Sequence, residues 1–312
     1  MSFEKINVLA KQRKPFLFIS DFLGERVEVI LLEDLQKNDI EFSISARGGF
    51  KEHSHQLKKI PLPFVEYKKK FDAVIENIKA GETYILNLTQ ATPIQTQLSL
   101  KEMYTLANAE YKLRYKDEFI CFSPEKFIQI KDDKIHTFPM KGTIDASLEN
   151  AATIILENEK EMAEHIMIVD LLRNDLSIKA SEVKVEDFRY IQTIEAGEKK
   201  LLQVSSHISA KLPPNWQENL GDILHSLLPA GSISGAPKKS TVKIIKDIEG
   251  YERGFFTGVF GLFDGMSFDS GVMIRYIEKT PQGYIYKSGG GITLDSDAKL
   301  EFEELQDKIY LP

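Results

Sequence analysis

The chain has 312 residues, 42% hydrophobic and 10% aromatic, enough to bury one large core or two ordinary ones. A formal net charge of −7 and a pI near 5.6 argue against a broad nucleic-acid surface, which needs Lys and Arg clustered in excess, but leave room for a small anionic substrate met by a few placed cations. The single cysteine, Cys121, excludes an intrachain disulfide and a Cys-based zinc site.

No stretch approaches the roughly 18 apolar residues of a membrane span, and the N-terminus has charges scattered where an export signal needs an apolar run. A cytoplasmic protein off the membrane is expected. In chain order, "PFLFIS" (15–20) and "VEVILL" (27–32) read as strands and 46–63 as a polar connector rich in turn formers. Residues 1–60 are therefore expected to form a short N-terminal strand segment packed on a main domain of residues 61–312. Residues 64–80 place Phe64, Tyr67, Phe71, Val74, Ile75 and Ile78 at helical spacing, and Gly81 closes the helix. The strand "TYILNLTQ" and a helix at about 99–110 lead into 118–143, which reads as three short strands joined by turns. One long helical segment follows at about 147–175, then extended chain at 185–210, then helices near 216–228 and 235–249 flanking "PAGSISGAP". The strands "GVFGLFD", "SGVMIRYIE" and "GYIYKS" precede a last helix at about 297–309. Strands come in meanders rather than alternating with helices, so the class is α+β and not a doubly wound sheet.

Several charges call for a reason. On the helix in "EKEMAEHIMIVDLLRND" (159–175), Glu161, Glu164 and His165 share the side that continues into Ile168, Leu171 and Leu172. They are either first-turn acids favoured by the helix dipole, with His165 as a satisfied partner, or acids of a site. The last helix repeats the spacing with Glu301 and Glu304, followed one turn on by Lys308. Two helices each carrying an acid pair suit a hard cation such as Mg²⁺, though solvated helix faces carry such pairs too. In "GSISGAPKK", Ser234 as N-cap with Pro237 just inside the helix would turn backbone N–H groups and Lys238 toward an anion, or simply start a helix. "SGGGIT" allows backbone to approach a ligand closely, or marks a bulge. Arg275, read as the middle of an apolar strand, wants a carboxylate or phosphate unless that strand is a solvated edge.

The segments "SPEKF", "PMKGT", "EMAEHIMIVDLLRNDL", "PAGSISGAPKKSTVKIIKDIE", "RGFFTGVFG" and "SGGGITLDSDAKLEFEELQDK", in this order, resemble the chorismate-utilising enzymes. The resemblance runs over about 65–309 and is nearest to component I of aminodeoxychorismate synthase. It implies one large α+β domain, with two antiparallel sheets packed with helices around a deep site, and only about 60 residues ahead of it where larger members carry a long regulatory region. It implies that Mg²⁺ is held by Glu164 and Glu304 with Glu161 and Glu301 in support. Arg275 and Lys308 would bind substrate carboxylate, and the backbone of Gly142, Thr143, Gly289 and Gly291 would lie against the ligand. Glu125 matches the general acid that protonates the departing C4 hydroxyl, and His165 falls within the catalytic set.

Lys141, 16 positions after Glu125, separates sister activities. Anthranilate enzymes typically carry alanine there, whereas in the aminodeoxychorismate enzymes the lysine attacks C2 as the hydroxyl leaves C4, and ammonia then adds at C4 and expels it. An attacking amine must be unprotonated. The expected reaction is amination of chorismate to 4-amino-4-deoxychorismate, on the route to p-aminobenzoate and folate. The alternatives are anthranilate synthase component I and a non-catalytic chorismate-binding protein. Cys121 lies in an apolar strand without a nucleophile pattern, so ammonia would come free or from a glutamine amidotransferase partner. Three positions depart from the family: Ile85 where glutamine or a water-activating lysine is usual, Phe256 where "RGFFTG" lacks the usual tyrosine, and Leu305 in place of threonine.

Overall fold

The computed structural model of the protein describes residues 2–44, 57–196 and 199–312. Helix α1 (Ser2–Lys11) leads into strands β1 (Phe16–Ser20), β2 (Val27–Leu31) and β3 (Ile40–Ile44). After the short β4 (Lys58–Lys59) come α2 (Phe64–Lys79), β5 (Ile85–Gln95) and α3 (Leu100–Leu106). Then β6 (Tyr111–Tyr115), β7 (Phe119–Ser123), β8 (Lys126–Lys131), β9 (Lys134–Thr137) and β10 (Met140–Asp145) follow through tight turns. Helices α4 (Ala151–Glu157) and α5 (Glu159–Ser177) precede the paired strands β11 (Ser181–Ala196) and β12 (Lys199–Lys211). Next are α6 (Leu220–Leu227), α7 (Gly231–Ser234), β13 (Gly235–Ala236) and α8 (Lys238–Glu249). The chain closes with β14 (Val259–Phe263), β15 (Phe268–Val272), β16 (Tyr276–Thr280), β17 (Gly283–Ile292) and α9 (Ala298–Asp307).

Among the described residues the strands form two antiparallel sheets. One is ordered β10-β12-β9-β8-β15-β14-β1-β2 with β11 on β12, the other β13-β5-β17-β16-β7-β6-β3 with β4 on β5. The run "FLFIS" is apolar without alternation because β1 is buried on both faces. Phe16 and Phe18 join the cluster beneath α1, α5, α6 and α8, whereas Leu17 and Ile19 point into the gap between the sheets, where they meet Leu113, Phe119, Cys121 and Tyr276 of the other sheet. A third cluster seats α3 against the outer face of that second sheet through Leu100, Met103, Ile120 and Phe122. The antiparallel sheets with helices outside them are the α+β arrangement that the meander pattern implies. No described helix is long and apolar enough to cross a membrane.

Several elements differ from the sequence reading. The N-terminal segment opens with a helix, α1, whose Phe3, Ile6, Leu9 and Ala10 recur at helical spacing and pack toward α6; the charges between them obscured it. The polar connector read at 46–63 falls largely outside the described residues. Residues 118–143 carry four strands rather than three, because both "DD" (132–133) and "FP" (138–139) turn the chain. The segment at 147–175 is two helices, broken at Asn158, whose extended backbone and side-chain oxygen cap α5 by accepting from Glu161 N at 3.0 Å. Such a cap stabilises a helix by about 1 kcal/mol.

Candidate active site

A cavity of about 1,020 Å³ opens where α5 and α9 lie across the ends of β5, β10 and β17. Glu125, Lys141, Gly142, Thr143, Glu161, Glu164, Arg275, Gly289, Gly291, Glu301, Glu304 and Lys308 all line it. Residues scattered over 180 positions of sequence thus meet on one surface, and the reason lies in how each element ends.

Lys141 belongs to β10, whose register against β12 slips between Met140 and Thr143. Such a bulge re-aims a side chain, and here Lys141 Nζ lies 3.6 Å from Glu164 Oε2. Two glycines make room. A Cβ on Gly291 would stand 2.9 Å from Lys141 Nζ, and one on Gly142, whose φ is +87°, would stand 3.2 Å from Glu161 Oε2.

The acids arrive on the helices. Glu164 from α5 and Glu301 from α9 are both buried, and Lys160 bridges them, its Nζ 3.9 Å from Glu164 Oε1 and 3.6 Å from Glu301 Oε1. Burial pushes both carboxyls above the usual glutamate range; Lys141 and Lys160 oppose this at Glu164 and Glu161 adds to it, while Ser296 opposes it at Glu301. Glu304 is more exposed and forms an ion pair with Lys308 at 2.7 Å; enclosure pushes its carboxyl up, but Lys308 together with Lys141 and Lys160 outweighs that and holds it below the usual range. Lys308 also donates to Gly289 O at 2.9 Å. As the side chains lie, no three acidic or imidazole groups among the described residues converge tightly enough to hold a metal. Yet the acids of two helices already share one cation, the Lys160 ammonium, and an all-carboxylate donor set of this kind fits a hard divalent ion in its place.

Glu125 stands in the turn between β7 and β8, its N–H donating to Ser123 Oγ at 3.0 Å. Ser232 of α7 donates to Glu125 Oε1 at 2.5 Å. Burial pushes the Glu125 carboxyl upward, against the pull of Ser232, Lys141, Lys308 and Arg275.

Arg275 is not mid-strand. It sits where the chain crosses from β15 in one sheet to β16 in the other, with φ at +51°, and the apolar run is unbroken because both strands are buried. Its guanidinium lies 5.2 Å from the Tyr310 ring centroid, and its buried Nε has no hydrogen-bond partner. Left-handed backbone at a non-glycine costs energy and persists where the surroundings enforce it.

His165 does not line the cavity. It is fully buried behind it, with Nε2 2.7 Å from Ser206 Oγ, and burial, reinforced by Arg189, pushes it down to about 4, so it stays neutral. The sequence reading sets it in the catalytic set beside Glu164, but one position along α5 is a rotation of about 100°, enough to turn the ring into the sheet. The anion site read in "GSISGAPKK" also dissolves. Ser234 ends α7 and donates to Ala230 O, Pro237 is the N-cap of α8, and Lys238 is committed to buried Asp175 at 2.7 Å. Cys121 is fully buried and its thiol is pushed up, as an inert core thiol is.

The sequence reading missed Lys160, Ser232 and Asn87, all on the cavity wall. Lys160 carried a signal, its i, i+4 spacing to Glu164; Ser232 lay inside a quoted motif without a chemical mark. Ile85 lies behind Gly291, its Cδ1 3.5 Å from where a Cβ would be. Phe256 lines the cavity with its ring 5.8 Å from that of Tyr276, and Leu305 is core.

A family profile for chorismate binding enzymes matches residues 26–311. An "Uncharacterized PabA-like protein" of Haemophilus influenzae is 46% identical over 313 residues, covering 99% of this chain and 95% of its own. Aminodeoxychorismate synthase component 1 of Bacillus subtilis is 30% identical over 266 residues, covering 80% of this chain and 55% of its own, so this chain spans about half that relative's length. Among solved structures, anthranilate synthase component I from Streptococcus pneumoniae superposes with a TM-score of 0.69 at 21% identity, over 95% of this chain and 79% of that one. The menaquinone-specific isochorismate synthase of Escherichia coli does so at 0.67 and 15%, over 99% and 90%. These two share the fold. With a profile match over nearly the whole length and the motif residues gathered on one cavity, the chain belongs to the chorismate-binding enzyme family.

Proposed function

We propose that the protein aminates chorismate at C4, giving 4-amino-4-deoxychorismate. The observation that carries this reading is the Lys141 amine, which a strand bulge delivers into the cavity that also holds Glu125 and the acids of α5 and α9. Arg275 and Lys308 hold substrate carboxylate. Glu125 gives its proton to the C4 hydroxyl, which leaves as water while the Lys141 amine bonds to C2; ammonia then bonds to C4, and the C2–N bond to Lys141 breaks. Glu164 and Glu304, with Glu161 and Glu301, are the residues that would hold Mg²⁺, Lys160 giving up its bridging place. Bound there, the ion would neutralise a substrate carboxylate that otherwise faces four glutamates. Ammonia is free or supplied by a glutamine amidotransferase subunit, since buried Cys121 cannot perform that hydrolysis.

Incubating the pure protein with chorismate, Mg²⁺ and ammonium, then resolving products by mass and ultraviolet spectrum, tests the reading. A product that has exchanged hydroxyl for amine and kept the pyruvyl group is expected. A fluorescent product lacking pyruvate would make it an anthranilate synthase, and unconsumed chorismate would make it a binding protein.

A further inference from the structure

Among the described residues one side chain hydrogen-bonds the Glu125 carboxyl, that of Ser232, 2.5 Å from Oε1. The other charged groups that face Glu125 are Lys141 from β10, Arg275 from the sheet crossing and Lys308 from the end of α9. Ser232 is held firmly. Arg253 Nη1 donates to Ile233 O at 3.0 Å, Ser234 Oγ donates to Ala230 O at 2.9 Å, and a Cβ on Gly231 would stand 3.0 Å from Asp175 Oδ2, so α7 has little freedom to slide.

We propose, on the reading that Glu125 is the general acid, that Ser232 is its positioning residue: its hydroxyl fixes the carboxyl by Oε1 and leaves Oε2 to carry the proton toward the substrate. When that proton passes to the C4 hydroxyl and the C–O bond breaks, Glu125 is left as a carboxylate with the Ser232 hydroxyl already donating to it. A hydrogen bond to a charged acceptor is stronger than one to a neutral acceptor, so this contact gains strength as the leaving group departs. Its loss therefore falls on kcat and not on substrate affinity.

The test compares Ser232→Ala and Ser232→Thr by steady-state kinetics over a range of pH. Ser232→Ala should lower kcat about ten- to a hundredfold, the usual scale for losing a hydrogen bond to a charged group, and leave the KM for chorismate within about twofold. The alkaline limb of the kcat profile should move up by about one pH unit, because a carboxylate that has lost its donor holds its proton longer. Ser232→Thr, which keeps the hydroxyl, should recover most of kcat. A second readout needs no turnover: the Glu125 carboxyl, ¹³C-labelled and assigned by its absence in Glu125→Gln, should titrate at higher pH in Ser232→Ala than in wild type. An unchanged kcat with an unmoved titration overturns the proposal, as does a joint loss of kcat and affinity with an unmoved titration. Should the wild-type protein leave chorismate untouched, the amination reading fails, and the ¹³C titration alone decides whether Ser232 governs the Glu125 proton.

Discussion

His165→Gln separates a catalytic histidine from a structural one. The ring is fully buried, bonded to Ser206 and held to about 4, whereas an unfolded histidine titrates near 6.5. Between those two values the unfolded chain takes up a proton at this position and the folded chain does not, so folding stability falls as pH drops from about 6.5 to about 4 and is flat above. At about 1.4 kcal/mol per pH unit the span is worth about 3 kcal/mol. Glutamine can still bond the Ser206 hydroxyl but cannot titrate. Buried carboxyls pushed upward, such as Glu164, Glu301 and Asp175, act in the opposite sense over part of the same range, yet they cancel when wild type and variant are compared at each pH. Urea unfolding at pH steps from 4 to 8 should show the stability difference, wild type minus variant, growing by about 3 kcal/mol across the window. A difference that stays constant with pH would refute a buried neutral His165. Loss of turnover by several orders of magnitude in a stably folded variant would return it to the chemistry.

Glu164→Gln removes one anion without changing shape, so Mg²⁺ binding measured by calorimetry should weaken at least about tenfold while the fold persists, and turnover should be partly rescued by excess Mg²⁺; unaltered binding would remove Glu164 from the metal. Glu125→Gln cannot donate a carboxylic proton, and kcat should drop about 10²-fold or more with chorismate binding retained; affinity and rate failing together would make Glu125 structural. Lys141→Ala should lose most amination, and wild type denatured during turnover should carry added mass on the peptide containing Lys141. Full activity in that variant, with no adduct in wild type, would leave the lysine an electrostatic role only.

Helix faces and buried strands were legible because their periodicity is local. Residues 64–80 announce α2 through six apolar positions and a terminal glycine, and α9 shows its acid pair at i and i+3. What the sequence hid depends on tertiary context. Nothing local says that "SGVMIRYIE" is two strands in two sheets, because both halves are buried and both read as apolar runs. Nothing local turns His165 inward and Glu164 outward, since adjacent helix positions differ only by what each happens to pack against. Ser232 is one serine in a motif with three polar neighbours, and its partner lies 107 residues away.

Two of the cavity's cations enter at irregular points of the chain. Four acids ride on the regular helices α5 and α9, which also carry Lys160 and Lys308, whereas Lys141 enters beside a bulge and Arg275 at a left-handed crossing, places where the chain departs from ideal strand geometry. The departures at Ile85, behind Gly291, and at Phe256, on the cavity wall, remove polarity at those two positions. Ile85 is packed behind Gly291, and the Phe256 ring lies against Tyr276, so neither offers a group that could take a proton from an attacking molecule. Water needs such a base to attack at neutral pH, and ammonia, which carries its own lone pair at adequate strength, does not. A base for water would therefore have to come from the cavity's glutamates, and on the proposed reading these hold the metal or donate the proton, so that reading favours nitrogen over oxygen.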